Sequence, residues 1–251
     1  MTLFYTKLLS IILIFAVTIS AGFYPFFKKI TSEKKFDFPI GESLAAGVFL
    51  GAGLLHMLSE SANGFIANGY SYPFPFLLAG SVFLLLLFLE HLTREMYEHS
   101  HGESSFGFAI LAVVMLSIHA FLAGAALGLS NSMSIFIIIL IAILAHKWAA
   151  SFALAMNITK SSISTKFGII LFLIFSVMVP LGIIFGDVIS RGLSAHSLLE
   201  PIFTALAAGT FIYFGTLHGL KRAALVECCN LKQFNFVLLG FAIMAVVAIW
   251  T

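Results

Sequence analysis

The chain alternates long apolar runs with short polar breaks. Eight runs stand out, at about 8–27, 43–62, 73–92, 106–130, 133–157, 167–190, 199–220 and 234–250. A helix rises 1.5 Å per residue, so ~20 apolar residues cross the hydrocarbon of a bilayer. The runs are continuous and do not alternate in ten-residue strands, which predicts helices and not a barrel. Lys28 and Lys29 follow the first run at once, the wrong flank for a cleaved signal, so it is expected to be a true span. The predicted fold class is all-α: a polytopic membrane protein with eight transmembrane helices, one domain over 1–251.

Composition strengthens this reading. Of 251 residues, 61% are hydrophobic and 10% charged, against about 25% charged in soluble domains. The polar breaks also orient the chain. The loops after spans 1, 3, 5 and 7 hold Lys28, Lys29, Lys34, Lys35, Arg94, Lys160, Lys166, Lys221, Arg222 and Lys232. The opposite side holds Lys7 and Arg191, and Lys147 lies inside a span. The positive-inside bias puts both termini outside, in a multi-pass protein of the cell membrane. Cys228 and Cys229 are adjacent in a basic stretch and read as reduced thiols without a function.

One segment recurs. Residues 45–58 read AAGVFLGAGLLHML and residues 207–220 read AAGTFIYFGTLHGL, with eight of fourteen positions identical at an offset of 162. Span 2 runs outward and span 7 inward, so spans 1–3 and 6–8 would be inverted repeats around a central hairpin of spans 4 and 5. Transporters use that construction, with the substrate near the midplane. Gly47 with Gly51, Gly124 with Gly128, and Gly182 with Gly186 are spaced for close helix packing. Pro180 is expected to kink span 6.

The candidate chemistry is mostly histidine. His119 and His146 sit near the middle of spans 4 and 5, at similar depth about the Asn131–Ser132 break. His56, with Glu60 one turn on, lies near the outer end of span 2, and His218 near the inner end of span 7. Ionisable groups in a membrane mark a pathway by default, and imidazole is the commonest metal ligand. Any one of them could instead be a hydrogen-bonded helix contact, but the ordered depths favour a cation path. Met115 reads as a gap-filler, Ser117 as a spare hydroxyl, and Lys147 has no partner identifiable from sequence. The stretch 90–105, with His91, His99 and His101 among Glu90, Glu95, Glu98 and Glu103, is read equally as a loose cytosolic metal site and as a solvated helix end. Asp187 and Glu200 are expected at the interface. No H-E-x-x-H, G-x-S-x-G or phosphate loop is present, which disfavours an enzyme.

At these residues the chain resembles the ZIP (ZRT/IRT-like) metal-ion transporter family. H-A-F-L-A-G-A-A-L-G from His119 is similar to the family's H-x-x-x-E-G-x-A-x-G, and H-K-W-A-A-S-F-A-L from His146 to its H-K-x-x-x-A-F-S-L form. G-V-F-L-G-A-G-L-L-H-M-L-S-E from Gly47, P-L-G-I-I-F-G from Pro180 and G-T-F-I-Y from Gly209 match as well. The resemblance implies eight spans in a 3+2+3 arrangement and import of a divalent metal ion, zinc first, as substrate and not cofactor. His119 and His146 would be core ligands, His56 with Glu60 the entrance, and His218 the exit. The chain departs from the family where Ala123 and Ala150 stand for glutamates and His218 for an acid. A non-transporting relative with a degenerate metal site is the alternative, and a carrier of another solute the third. The expected partners are the metal ion and the bilayer, with a homodimer as candidate assembly and no nucleic acid.

Overall fold

The computed structural model describes residues 3–31, 38–100, 104–192, 198–220 and 231–250. The described chain is all-helical, in eight rods. They are α1 (Leu3–Thr31), α2 (Pro39–Ala67), α3 (Phe74–Ser100), α4 (Ser104–Leu129), α5 (Met133–Lys160), α6 (Thr165–Gly192), α7 (Leu199–Tyr213, continued through Phe214–Leu220) and α8 (Leu231–Val247). Rods α1 to α6 are long and apolar enough to cross a membrane, by length and composition, and α8 is apolar but shorter. Each predicted run has its rod. Several rods outrun their apolar run, because a helix keeps its backbone bonded internally past the last apolar residue. Lys34, Lys35, Cys228, Cys229, His101, Glu103, Lys221 and Arg222 lie outside the described residues, as do the side chains of Glu98, His99 and His218.

Glycine decides which rods touch. A Cβ on Gly182 would lie 2.2 Å from the Phe121 carbonyl oxygen, and one on Gly186 equally close to that of Ala125. Gly124 and Gly128 meet α6 in the same way, so α4 and α6 lie backbone to backbone. Lipid tails are as apolar as leucine, so close van der Waals contact replaces hydrophobic burial as the attraction. Gly47 brings α2 onto Val237 of α8, and Gly209 brings α7 onto Ala79 of α3. The paired glycines are thus packing devices, as their spacing predicted. Rod α1 packs along α5 and α6, and α2 also crosses α5 and α7. Rod α3 turns Phe76, Leu84, Leu85 and Phe88 outward, whereas α7 buries Ala205, Ala207, Ala208, Phe211 and Tyr213 completely.

Both repeat segments leave α geometry at the same place. Rod α2 widens into a π turn over Ala52–Met57, and α7 does so over Phe214–Leu220. At the offset of 162 found in the sequence, Ala52 falls on Phe214 and His56 on His218. A π turn adds a residue to the helical repeat, re-aims the side chains within it, and is frequent at functional sites.

Several polar groups find roles that differ from expectation. Asp187 accepts from Lys7 Nζ at 2.8 Å and pairs with Arg191 Nη2 at 2.6 Å. Lys7 also donates to the Gly128 carbonyl at 2.7 Å, tying α1, α4 and α6 together. Glu90 is no solvated helix end. It is buried, pairs with Arg94 and accepts a hydrogen bond from Tyr213 of α7. Lys160 holds Glu42 through both carboxylate oxygens, at 2.9 and 2.8 Å, joining α5 to α2. Rod α6 runs unbroken through Pro180, so this proline does not end the helix.

Candidate functional site

Four rods converge at the middle of the molecule: α2, α4, α5 and α7. A glycine at one shared position of the two repeat segments allows it, since Gly53 meets Ala208 and Ile212 while Gly215 meets Leu50 in return. The phenylalanines of the two segments meet as well, Phe49 on Phe211 with centroids 4.9 Å apart.

His119 and His146 come together here, as their depths predicted. Both are buried, and their ring centroids are 6.1 Å apart at 73°. Phe211 packs on both, stacked on His119 at 3.7 Å and edge-on to His146 at 4.9 Å. His119 Nδ1 lies 2.7 Å from Thr210 Oγ1 and 3.1 Å from the Ala207 carbonyl oxygen, both on α7. His146 Nδ1 is buried and reaches the Ala142 carbonyl of its own helix only at looser than hydrogen-bond geometry. Two imidazoles on one tetrahedral zinc, with Zn–N near 2.1 Å, hold their centroids roughly 5 Å apart. The observed separation of the two ring centroids is about 1 Å longer than that.

A small pocket lies beside the pair, on the side of the α4–α5 turn. It is lined by His56, Met57, Glu60, Ala123, Ala126, Ile139, Ile143, Thr204 and Ala207. His56 sits within the π turn of α2, 2% exposed, with Nδ1 unpartnered and Nε2 3.6 Å from Glu60 Oε2. Glu200, in the first turn of α7, is an electrostatic neighbour of Glu60. This mouth carries the carboxylates that the central pair lacks. Ala123 and Ala207 line the pocket, so it reaches the edge of the histidine pair.

Other sequence candidates fall elsewhere. His218 is on the second π turn, its side chain outside the described residues. Lys147 turns away from α7, and its ammonium sits 4.0 Å from the centroid of Phe175 on α6. That ring supplies the partner the sequence could not name. Met115 is core, and Ser117 Oγ is buried without a partner. His91 Nδ1 bonds the Leu87 carbonyl of its own helix at 2.9 Å. Among the described residues, no three His, Cys, Asp or Glu side chains converge at metal-binding distance. Sequence reasoning overlooked Thr210, Thr204, Phe211 and Tyr213. Thr210 left one signal: it stands opposite Val48 in two segments that otherwise share A-A-G-x-F.

Comparison with known proteins places this site in a wider set. The sequence profile described as "ZIP Zinc transporter" matches residues 4–107 and 100–248. Zinc transporter ZIP2 of Mus musculus is 27% identical over 257 aligned positions, covering 82% of this chain and 83% of that protein. Its Homo sapiens counterpart is 27% identical, with coverage of 82% and 84%. Zinc transporter 11 of Arabidopsis thaliana is 27% identical, covering 97% of this chain and 85% of its own length.

Proposed function

The chain belongs to the ZIP zinc transporter family, and on that premise we propose that it carries a divalent metal ion, zinc first, across the cell membrane into the cytosol. His56 and Glu60 receive the ion at the outer mouth, His119 and His146 hold it at the centre, and His218 releases it inward. The activity is transport and not catalysis. One observation carries this reading: the pocket that His56 and Glu60 line reaches Ala123 and Ala207, at the edge of the buried histidine pair. Zinc suits imidazole, though copper and nickel do too. The central pair brings no carboxylate, so the charge of the ion is compensated from the mouth, and binding at the centre is weak. Zinc uptake by proteoliposomes of the purified chain, run beside a panel of other divalent ions, tests the proposal. Saturable zinc uptake above empty liposomes is expected, and a flat trace would favour the non-transporting alternative.

The proposed frame is eight crossings in one unit over residues 1–251, arranged 3+2+3 with inverted repeats and both termini outside. The packing supports it. Exchanging α1–α3 with α6–α8, and α4 with α5, turns the α4–α6 contact into α5–α1 and the α2–α8 contact into α7–α3. Ten loop cations on one side against two on the other give the orientation. In a Cys228→Ser, Cys229→Ser background, tags at Met1 and Thr251 should be labelled on intact cells, and a cysteine at Lys34→Cys should not. Inside labelling of both termini would overturn the orientation, and inside labelling of one alone would overturn the eight crossings.

A further inference from the structure

We propose that Thr210 is a positioning residue that holds His119 in the one tautomer able to offer Nε2 to the ion. The proposal rests on the reading of His119 as a core ligand. Neutral imidazole carries one proton, and only the other nitrogen has a lone pair for a metal. Two oxygens face Nδ1: Thr210 Oγ1 at 2.7 Å and the Ala207 carbonyl at 3.1 Å. A carbonyl only accepts. The Thr210 hydroxyl spends its own proton on that same carbonyl, at 2.6 Å, so towards His119 it also only accepts. Nδ1 must therefore be the N–H donor, which leaves the lone pair on Nε2. The ring is held in plane as well, stacked on Phe211. Metal-bound histidines characteristically donate their second N–H in this way, and the partner sets orientation and basicity.

The device is one-sided. The repeat counterpart of Thr210 is Val48, which has no hydroxyl. His146 faces the Ala142 carbonyl of its own helix instead of a partner on another rod.

Thr210→Val has the same shape and removes the hydroxyl, and Thr210→Ser restores it. The Val variant is expected to raise the KM for zinc uptake by about 10–100-fold, the usual cost of losing an outer-shell partner, while the Ser variant keeps the parental KM. Nitrogen NMR of histidine-labelled, zinc-free protein supplies a readout independent of uptake. The parent should show His119 protonated at Nδ1 alone, and the Val variant a mixture of tautomers. Parental KM and parental nitrogen signals in Thr210→Val would overturn the proposal, leaving the Ala207 carbonyl to hold the ring by itself. Equal impairment of Val and Ser variants, with unchanged tautomer and lowered thermal stability, would overturn it in favour of a packing role. If His119→Ala itself transports zinc normally, the ligand assignment fails first, and that outcome is distinguishable from both.

Discussion

His119→Ala and His146→Ala are each expected to bring zinc uptake by proteoliposomes down to the level of empty liposomes. A zinc ion leaving water must replace its hydration shell with protein donors, and at this depth few are at hand. Ala123 and Ala150 supply none, Lys147 is cationic and turned to Phe175, and among the described residues no third acid or histidine converges with the pair. Two imidazoles are the minimum with which the ion can be held, so the loss of either leaves one. Both rings are buried, and His119 leaves two acceptors on α7 behind it when truncated, a folding cost of about 1–3 kcal/mol. Thermal unfolding and size-exclusion profiles separate that cost from loss of the site. His146, which ties no second rod through Nδ1, is the cleaner probe. Zinc uptake that persists at the parental rate in the double variant would remove the pair from the transport path.

Ala123→Glu is expected to bind zinc more tightly than the parent and to release it more slowly. Ala123 lies one turn from His119, lines the same pocket as His56 and Glu60, and is 7% exposed. A carboxylate ~4 Å from a divalent ion gains several kcal/mol at an effective dielectric near 20, before the cost of desolvating it is subtracted. A net tightening of about tenfold to a hundredfold corresponds to roughly 1.4–2.8 kcal/mol. Without metal, the new carboxylate is a second acid in a buried pocket beside Glu60, so the zinc-free protein should melt lower than the parent. With zinc it should gain more in Tm than the parent does, because tighter binding stabilises the folded state by mass action. In uptake, KM should fall and the maximal rate should fall with it, as an ion held more strongly leaves more slowly. Unchanged or weaker zinc binding by Ala123→Glu would mean that the pocket is not the ion's route.

Much of this was legible in the chain itself. The eight rods follow from apolar length, because lipid admits only spanning segments whose backbone bonds close within the segment, and length and hydropathy report that directly. The α4–α5 turn, the matched depth of His119 and His146, the packing glycines and the repeat of His56 at His218 are all linear features. The family resemblance drew on the same residues, and the profile match bears it out.

Only the tertiary structure decided what faces what. Hydropathy has no direction around a rod that is apolar on every side, so it could not say that Lys147 looks to Phe175, that Glu90 is buried under Tyr213, or that Asp187 belongs to Lys7. Nor does helical spacing foresee a π turn, which shifts by one residue the face on which His56 stands. Thr210 illustrates the limit best. In the sequence it is one hydroxyl in an apolar segment. It becomes the partner of His119 because α4 packs along α7, a rod that follows it in the chain only after two others. The sequence by itself determined the helices, their number and the residues capable of ligation. Which nitrogen faces which oxygen was decided by backbones approaching across 91 residues of chain, a distance over which no local pattern carries information.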